Sequence, residues 1–243
     1  MIITKDIKLA NVILENYHLI SIISRFGIKF GFGDKTVEQV CRQYNINTDF
    51  FLEIVNAFND REYNPYSTLK KMSLSLTVTY LLKSHYYYNK IKLPIIENLV
   101  KQLKWDSKDD KKNKDVLKKF FSQYRNEVRE HTLNEEKEIY PYVLELEKNF
   151  NNREKIDSEF LEKLHQKSIK DYADTHDELN SSLLDLKNII IKYLNPVKNK
   201  EITEQILIEI FKLEKDMTDH TELEEKVIIP IAVKMEKELK KRN

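Results

Sequence analysis

The chain has 243 residues, of which 33% are charged and 41% are hydrophobic, so it can bury a sizeable core in one large domain or two modest ones. Its 41 basic and 40 acidic residues leave a net charge of +1, which provides no strong field to attract nucleic acid or an anionic membrane. The sequence has one cysteine, no signal-peptide pattern and no apolar run of membrane-spanning length. We therefore expect a cytoplasmic protein with no intrachain disulfide and with neither nucleic acid nor a membrane as a partner.

Glycine usage indicates the fold class. The chain has only 3 glycines, all between Gly27 and Gly33, which leaves few of the positive-φ turns that β-hairpins use. The prediction is an all-α protein.

Residues 1–62 are predicted to form a small helical amino-terminal domain. An amphipathic helix is expected to end near Phe26-Gly27, where glycine can adopt a left-handed cap. Two further short helices should follow, each beginning at a polar capping residue. The candidate caps are Asp34 or Thr36 for the first and Thr48 or Asp49 for the second. Asn64-Pro65 then marks a linker, because the residue before proline disfavours helix.

Residues 63–243 are predicted to form an up-down-up-down four-helix bundle. Long helical patterns extend over residues 66–104, 110–149, 155–194 and 200–240, and short connections make neighbouring helices antiparallel. Each segment has one histidine near its midpoint, so the four histidines should share one level of the bundle. They are His85, His131, His176 and His220.

The second and fourth segments share a motif. The sequences HTLNEEKEIYP (131–141) and HTELEEKVIIP (220–230) agree at seven of eleven positions at an offset of 89 residues, which indicates an internal repeat. In both copies a glutamate, Glu135 or Glu224, follows the histidine by four residues, so that both side chains lie on one face of a helix. His85 and His176 alternate with these motifs but have Asn89 and Asn180 at the fourth position.

Six such polar side chains would be costly to bury at one level without a common ligand, and a bound metal explains them best. Six ligands are too many for one tetrahedral zinc, so two metals are predicted. A thiolate site is not expected, because the only cysteine, Cys41, is in the other domain. Imidazole suits iron, and two carboxylates can bridge two cations, although manganese or a mixed pair would accept the same ligands. The predicted metal ligands are His85, His131, Glu135, His176, His220 and Glu224. His18 and His165 lie away from this level and are expected to be structural or exposed.

The sequence leaves the roles of several residues near the ligand candidates undecided. One of Tyr86 to Tyr88 is expected to face the site, because three consecutive helical residues point in different directions. Tyr124 and Tyr172 lie on the faces of the histidines that follow them, with core packing as the alternative. Glu136 and Glu225 are expected to point away from the ligands and to pair with surface lysines.

The alternation of His with His-x-x-x-Glu, in a four-helix bundle that follows a small helical domain, resembles the iron-sulfur cluster repair di-iron proteins, a branch of the hemerythrin-like proteins. His85 followed by Leu93-Pro94 is similar to the first histidine helix of that family, and the resemblance spans nearly the whole chain. It implies two non-haem irons, each bound by two histidines and bridged by both glutamates and an oxo or hydroxo group. It also implies repair of iron-sulfur clusters damaged by nitric oxide or oxidants, with damaged iron-sulfur proteins as partners.

The stretch 26–34 resembles the smaller domain of the family, with one departure. Gly31 and Phe32 occupy positions where the family usually has two adjacent cysteines, and the lone Cys41 cannot replace that dithiol. An alternative function therefore stays open, in which the chain is a sensor or carrier that binds O2 or NO without catalytic turnover. In an iron-sulfur cluster repair protein, by contrast, NO, O2 or peroxide would react at the open metal positions.

Overall fold

The structure is a computed structural model, and it describes residues 2–104, 111–152, 158–166, 168–170, 177–194 and 197–242. The regular secondary structure of these residues is helical, and no strand occurs among them, as the scarcity of glycine predicted. The α-helices are α1 (Leu9–Glu15), α2 (Leu19–Arg25), α3 (Val37–Gln43), α4 (Thr48–Asn59), α5 (Tyr66–Leu69), α6 (Leu74–Tyr87), α7 (Leu93–Gln102), α8 (Lys111–Asn134), α9 (Tyr140–Asn151), α10 (Ser158–Gln166), α11 (Asp177–Asn188), α12 (Lys200–Leu223) and α13 (Ile229–Arg242). Four π-helical turns join some of them, namely π1 (Tyr88–Lys92), π2 (Glu135–Ile139), π3 (Ile189–Tyr193) and π4 (Glu224–Ile228).

The amino-terminal module (residues 2–62) contains four short helices, α1 to α4, where the sequence predicted three. The expected first helix is divided at Asn16, which has an extended backbone and accepts a hydrogen bond from the amide of His18 at 3.1 Å. After α2, Gly27 adopts a φ of 80°, which confirms the predicted left-handed cap.

The caps of α3 and α4 follow from polar residues at their starts. Thr36 caps α3 and forms a reciprocal capping box with Gln39, which confirms one of the two predicted candidates. The cap of α4 is Asn47, one residue before the predicted candidates, and it accepts a hydrogen bond from the amide of Phe50 at 2.9 Å.

The first long segment begins at Leu74 and not at residue 66. A buried carboxylate explains this start, because Glu147 of α9 accepts hydrogen bonds from the amides of Leu74 at 2.7 Å and Ser75 at 3.2 Å. It thereby satisfies amides that have no partner within the helix. Residues 66–69 form only the single turn of α5.

The third long segment is interrupted at residues 168–170. Glu236, which follows Glu147 by the repeat offset of 89 residues, accepts hydrogen bonds from the amide of Ile169 at 2.9 Å and the hydroxyl of Ser168 at 3.2 Å. These bonds compete with helical pairing, so the helix predicted over 155–194 is divided into α10 and α11 within the described residues. The predicted breaks at 105–110 and at Asn195-Pro196 lie outside them.

The π-helical turns have a cause in the sequence. In each of them an amide bonds to the carbonyl five residues earlier, as Tyr140 does to Glu135 and Ile229 does to Glu224. Prolines follow three of the turns as the second residue of the next helix, namely Pro94, Pro141 and Pro230. Proline has no amide hydrogen and clashes with the carbonyl four residues earlier, so a wider turn accommodates it.

The long segments pack with their neighbours in opposite directions. α7, at the end of the first segment, contacts both α8 and α12, which begin the second and fourth segments. α6 contacts α9, and α11 contacts both α8 and α12. Within the described residues, no helix is both long and apolar enough to cross a membrane.

Two hydrophobic clusters fill the interior, on opposite sides of the histidine level. The first cluster joins the amino-terminal module to α6, α9 and α13 and includes Phe51, Leu81, Val143 and Leu239. The second joins α7, α8, α11 and α12 and includes Leu93, Phe121, Leu183 and Ile210. The apolar core is therefore continuous across the boundary at residue 62, and the polar ligand candidates lie between the two clusters.

Candidate metal centre

Four of the predicted ligands are buried between the two hydrophobic clusters. The exposed fractions of His85, Glu135, His220 and Glu224 are 0%, 1%, 6% and 4%. Carboxylates and imidazoles are rarely buried together unless they are paired or bind a metal.

Three of these side chains converge on one point. His85 Nε2 lies 3.3 Å from His220 Nε2 and 3.2 Å from Glu135 Oε2, and one ligand atom from each residue lies within 4.8 Å of the others. The two histidines come from α6 and α12, and the glutamate begins π2. This buried group can hold a metal ion.

The second oxygen of Glu135 faces a different histidine. Glu135 Oε1 lies 2.9 Å from His131 Nε2, on the same helix one turn earlier, while Oε2 faces His85. The imidazole of His131 is 14% exposed, so it lies nearer the surface than the first group. One carboxylate therefore has an imidazole nitrogen at each oxygen.

The second glutamate, Glu224, also lies beside His220. Glu224 Oε1 is 3.5 Å from His220 Nε2 and 2.5 Å from the hydroxyl of Tyr140, which donates to it. The same hydroxyl lies 3.3 Å from His85 Nε2, and the ring of Tyr140 stacks on that of His85 at 5.4 Å between centroids. Burial raises the pKa of Tyr140 well above its ordinary value, and the charges of Glu224 and Glu135 raise it further.

Glu136 fixes the orientation of His85. Its Oε1 lies 3.0 Å from His85 Nδ1, so the expectation that Glu136 points away from the site is wrong. Burial lowers the pKa of His85, but hydrogen bonds to Glu135 and Glu136, together with the charges of Glu135 and Glu224, raise it more, to about 9. In the neutral form with its proton on Nδ1, donated to Glu136, Nε2 can bind a metal, so metal binding would displace the second proton that the raised pKa retains near neutral pH.

The donor geometry fits a metal ion. Bonds of about 2.1 Å at tetrahedral or octahedral angles separate ligand atoms by roughly 3.0 to 3.4 Å, which matches the two distances from His85 Nε2. His220 Nδ1 is buried with no hydrogen-bond partner among the described residues. The donor set of imidazole and carboxylate suits iron, manganese or zinc.

The remaining histidines separate into two kinds. His176 lies outside the described residues, so its predicted place in the site is a prediction only. His18 and His165 are exposed, as expected of histidines away from the ligand level.

The structure shows what surrounds Tyr124 and Tyr88, two of the tyrosines that the sequence indicates near the ligand candidates. Tyr124 is buried and its hydroxyl lies 3.0 Å from Met217 Sδ, within the second hydrophobic cluster. Among the three consecutive tyrosines, Tyr88 faces the site with its ring 5.8 Å from that of His220, whereas Tyr86 is 61% exposed.

Sequence reasoning missed Tyr140 and Glu136. Both lie within the repeated motif, yet their offsets of nine and five residues from His131 do not match an α-helical face. The π turn that begins at Glu135 places Tyr140 one wide turn after it, and Pro141 was the available signal for that turn. Glu136 instead reaches His85 on the neighbouring helix.

No family model matches this chain, and no curated protein matches it either. A function is therefore inferred from the site geometry and from the resemblance in the sequence pattern.

Proposed function

We propose that the chain is a non-haem di-iron protein with a hemerythrin-like four-helix bundle. The observation that carries this proposal is Glu135, whose two oxygens face His85 and His131 at 3.2 and 2.9 Å. One metal position lies between His85 and His220, and the second lies at His131, with His176 as its other candidate ligand. Glu224 is the second bridging candidate.

The antiparallel contacts between the long segments support the bundle arrangement. The polar level also divides the hydrophobic interior near the middle of three of the segments, at His85, His131 and His220, which is where bundle proteins build metal sites from facing helices. A cytoplasmic location agrees with the composition of the chain.

A bound iron pair would supply one-electron chemistry and open positions for NO, O2 or peroxide. The protein residues then have separate tasks. Glu136 holds the imidazole of His85 with Nε2 towards the metal, and the hydroxyl of Tyr140 donates a hydrogen bond at Glu224 Oε1. The hydrophobic clusters above and below exclude bulk water from the site.

We infer that this site acts in the repair of iron-sulfur clusters or in the response to nitric oxide and oxidants, as the resemblance implies. The alternative is a sensor or carrier, and the loop at Gly31 favours it. Gly31 has a φ of 96°, where L side chains are strained, so the backbone here is poorly suited to a cysteine. Phe32 packs against the first hydrophobic cluster, so this loop has a packing role.

Turnover distinguishes the two functions. Iron-loaded protein would be mixed with NO or with peroxide under reducing conditions, and the amount consumed per chain would be measured. Repair or detoxification predicts many equivalents consumed, together with reactivation of an iron-sulfur enzyme damaged by nitric oxide. A sensor or carrier predicts one reversible binding event and no reactivation. Glu135→Ala should abolish either behaviour, and an unchanged variant would exclude this site.

A further inference from the structure

Arg25 is a buried cation of the amino-terminal module that reaches the bundle. Its side chain is 2% exposed, and it forms a bidentate ion pair with Asp216 of α12, whose side chain is 11% exposed. Arg25 Nη1 lies 2.8 Å from Asp216 Oδ1, and Nη2 pairs with Oδ2. The same Nη1 lies 3.4 Å from the hydroxyl of Tyr80 and 3.3 Å from that of Ser84.

The ion pair adjoins both histidines of the first metal position. Asp216 precedes His220 by four residues, which is about 6 Å or just over one turn along the helix, and Ser84 immediately precedes His85. Tyr88 donates to Asp216 Oδ1 at 2.9 Å and to the Asp216 carbonyl at 3.1 Å. The ring of Tyr88 then packs edge-on against that of His220, with 5.8 Å between centroids.

We propose that Arg25 is a positioning residue for the metal centre, which acts through Asp216 and Tyr88 on the orientation of His220 and on the local electrostatic field. This inference rests on the proposed function and adds a role for the amino-terminal module in it. The module then tunes the metals through a charge pair, and it needs no dithiol to do so.

The sign of the charge gives a specific expectation. As a pair, Arg25 and Asp216 contribute little net charge, but loss of one partner leaves the other charge one helical turn from the site in a low-dielectric interior. An uncompensated carboxylate stabilises the more oxidised metal and lowers the reduction potential. An uncompensated guanidinium stabilises the more reduced metal and raises it. A merely structural pair would not produce shifts of opposite sign.

The experiment compares variants of the full-length, iron-loaded protein by iron content and midpoint potential. Asp216→Asn should raise the potential and Arg25→Met should lower it, each by about a tenfold change in the oxidised-to-reduced ratio, which is about 59 mV for one electron. The double variant Arg25→Met/Asp216→Asn should return close to the wild-type potential.

The matched control is Lys92→Met. Lys92 of π1 and Glu209 of α12 form another ion pair, with 6% and 21% exposed side chains, but Glu209 lies eleven residues, or about 16 Å, before His220. This variant should leave the potential unchanged. Arg25→Lys retains the charge and should also keep the wild-type potential. Arg25→Gln, which removes the charge but keeps a hydrogen-bond donor, replaces Arg25→Met if that variant does not fold.

Two results would overturn the inference. If Asp216→Asn folds and binds iron with an unchanged potential, or if Arg25→Met and Asp216→Asn shift it in the same direction, Arg25 has only a structural role. A wild-type protein that binds no iron would instead overturn the proposed function, and with it this inference.

Discussion

Tyr140 makes the two halves of the internal repeat chemically different. The repeat places Ile229 at the position equivalent to Tyr140, so only the first copy supplies a phenol. Its hydroxyl contacts Glu224 Oε1 and lies near His85 Nε2, which couples the two repeats at the centre of the site. The repeated His-x-x-x-Glu motif thus has an asymmetric hydrogen-bond donor beside it.

Tyr140→Phe should affect the metal-free and metal-loaded protein differently. Without a metal, loss of the donor to the buried carboxylate of Glu224 should lower the free energy of unfolding by about 1.5 to 3 kcal/mol. With a metal bound, the cation compensates that carboxylate and the loss should be smaller. Denaturant unfolding of both forms measures the difference. Tyr124→Phe is the control, because its hydroxyl contacts the sulfur of Met217 and not a buried carboxylate, and an equal loss in both forms for Tyr140→Phe would contradict the account.

Cys41 is predicted to be chemically silent. It is fully buried, and burial raises the pKa of its thiol from 9.0 to about 11 although a hydrogen bond involving Thr48 lowers it. The neutral thiol stabilises the fold below pH 9, and this contribution is lost as the pH rises towards 11. At neutral pH we expect slow alkylation in the native protein and fast alkylation after unfolding. Cys41→Ala should keep its iron, and loss of iron would show that the thiol serves the site.

Among the helices and turns, the sequence predicted the helical class and much of the segment layout but not the wide turns. Hydrophobic periodicity located the long segments, and capping chemistry located starts such as Thr36. The start at Leu74 and the break at 168–170 depend on Glu147 and Glu236, which are distant in sequence and therefore invisible to local patterns. The prolines were visible in the sequence. The π turns change which residues share a helix face with the ligand candidates, and this effect of the prolines could be seen only in the structure.

Pro141→Ala tests whether the wide turn serves the site. Alanine restores a helical amide and is a far better helix former, so the metal-free protein should be at least as stable as the wild type. Relaxation of π2 should move Glu135 relative to Tyr140 and weaken iron binding by about 10- to 100-fold, the range typical of changes around metal ligands. Metal titration checks this expectation. Pro65→Ala, at the cap of α5, is the control, and equal iron affinity in both variants would exclude a role for the turn.

For the whole molecule, the sequence anticipated a polar level with histidines from successive helices. It could not show that the first hydrophobic cluster extends from the amino-terminal module into the long helices, because side chains from both parts form it. Nor could it identify the partner of Asp216, since Arg25 lies 191 residues away in the chain. The place of His176 stays a prediction.

Removal of residues 1–62 should be harmful through one charge as well as through the loss of the apolar contacts that the module shares with the long helices. Truncation would leave the carboxylate of Asp216 without Arg25, and a carboxylate that loses the cation of its ion pair destabilises the fold where it stays partly buried. We expect the truncated chain with Asp216→Asn to be more stable, and to retain more iron, than the truncated chain with Asp216. Thermal unfolding and iron analysis compare the two chains. Equal stability would mean that the shared hydrophobic core, and not the ion pair, joins the module to the bundle.

The number of metals per chain tests the bridging role of Glu135 most directly. Protein supplied with iron should contain about two irons per chain and show the near-ultraviolet absorption of an oxo-bridged ferric pair, because the ligand set accommodates two cations. Glu135→Ala should lose most of this iron, whereas His165→Ala, which changes an exposed histidine away from the ligand level, should keep all of it. One tightly bound zinc with no second metal, or equal iron content in the two variants, would contradict the di-iron site.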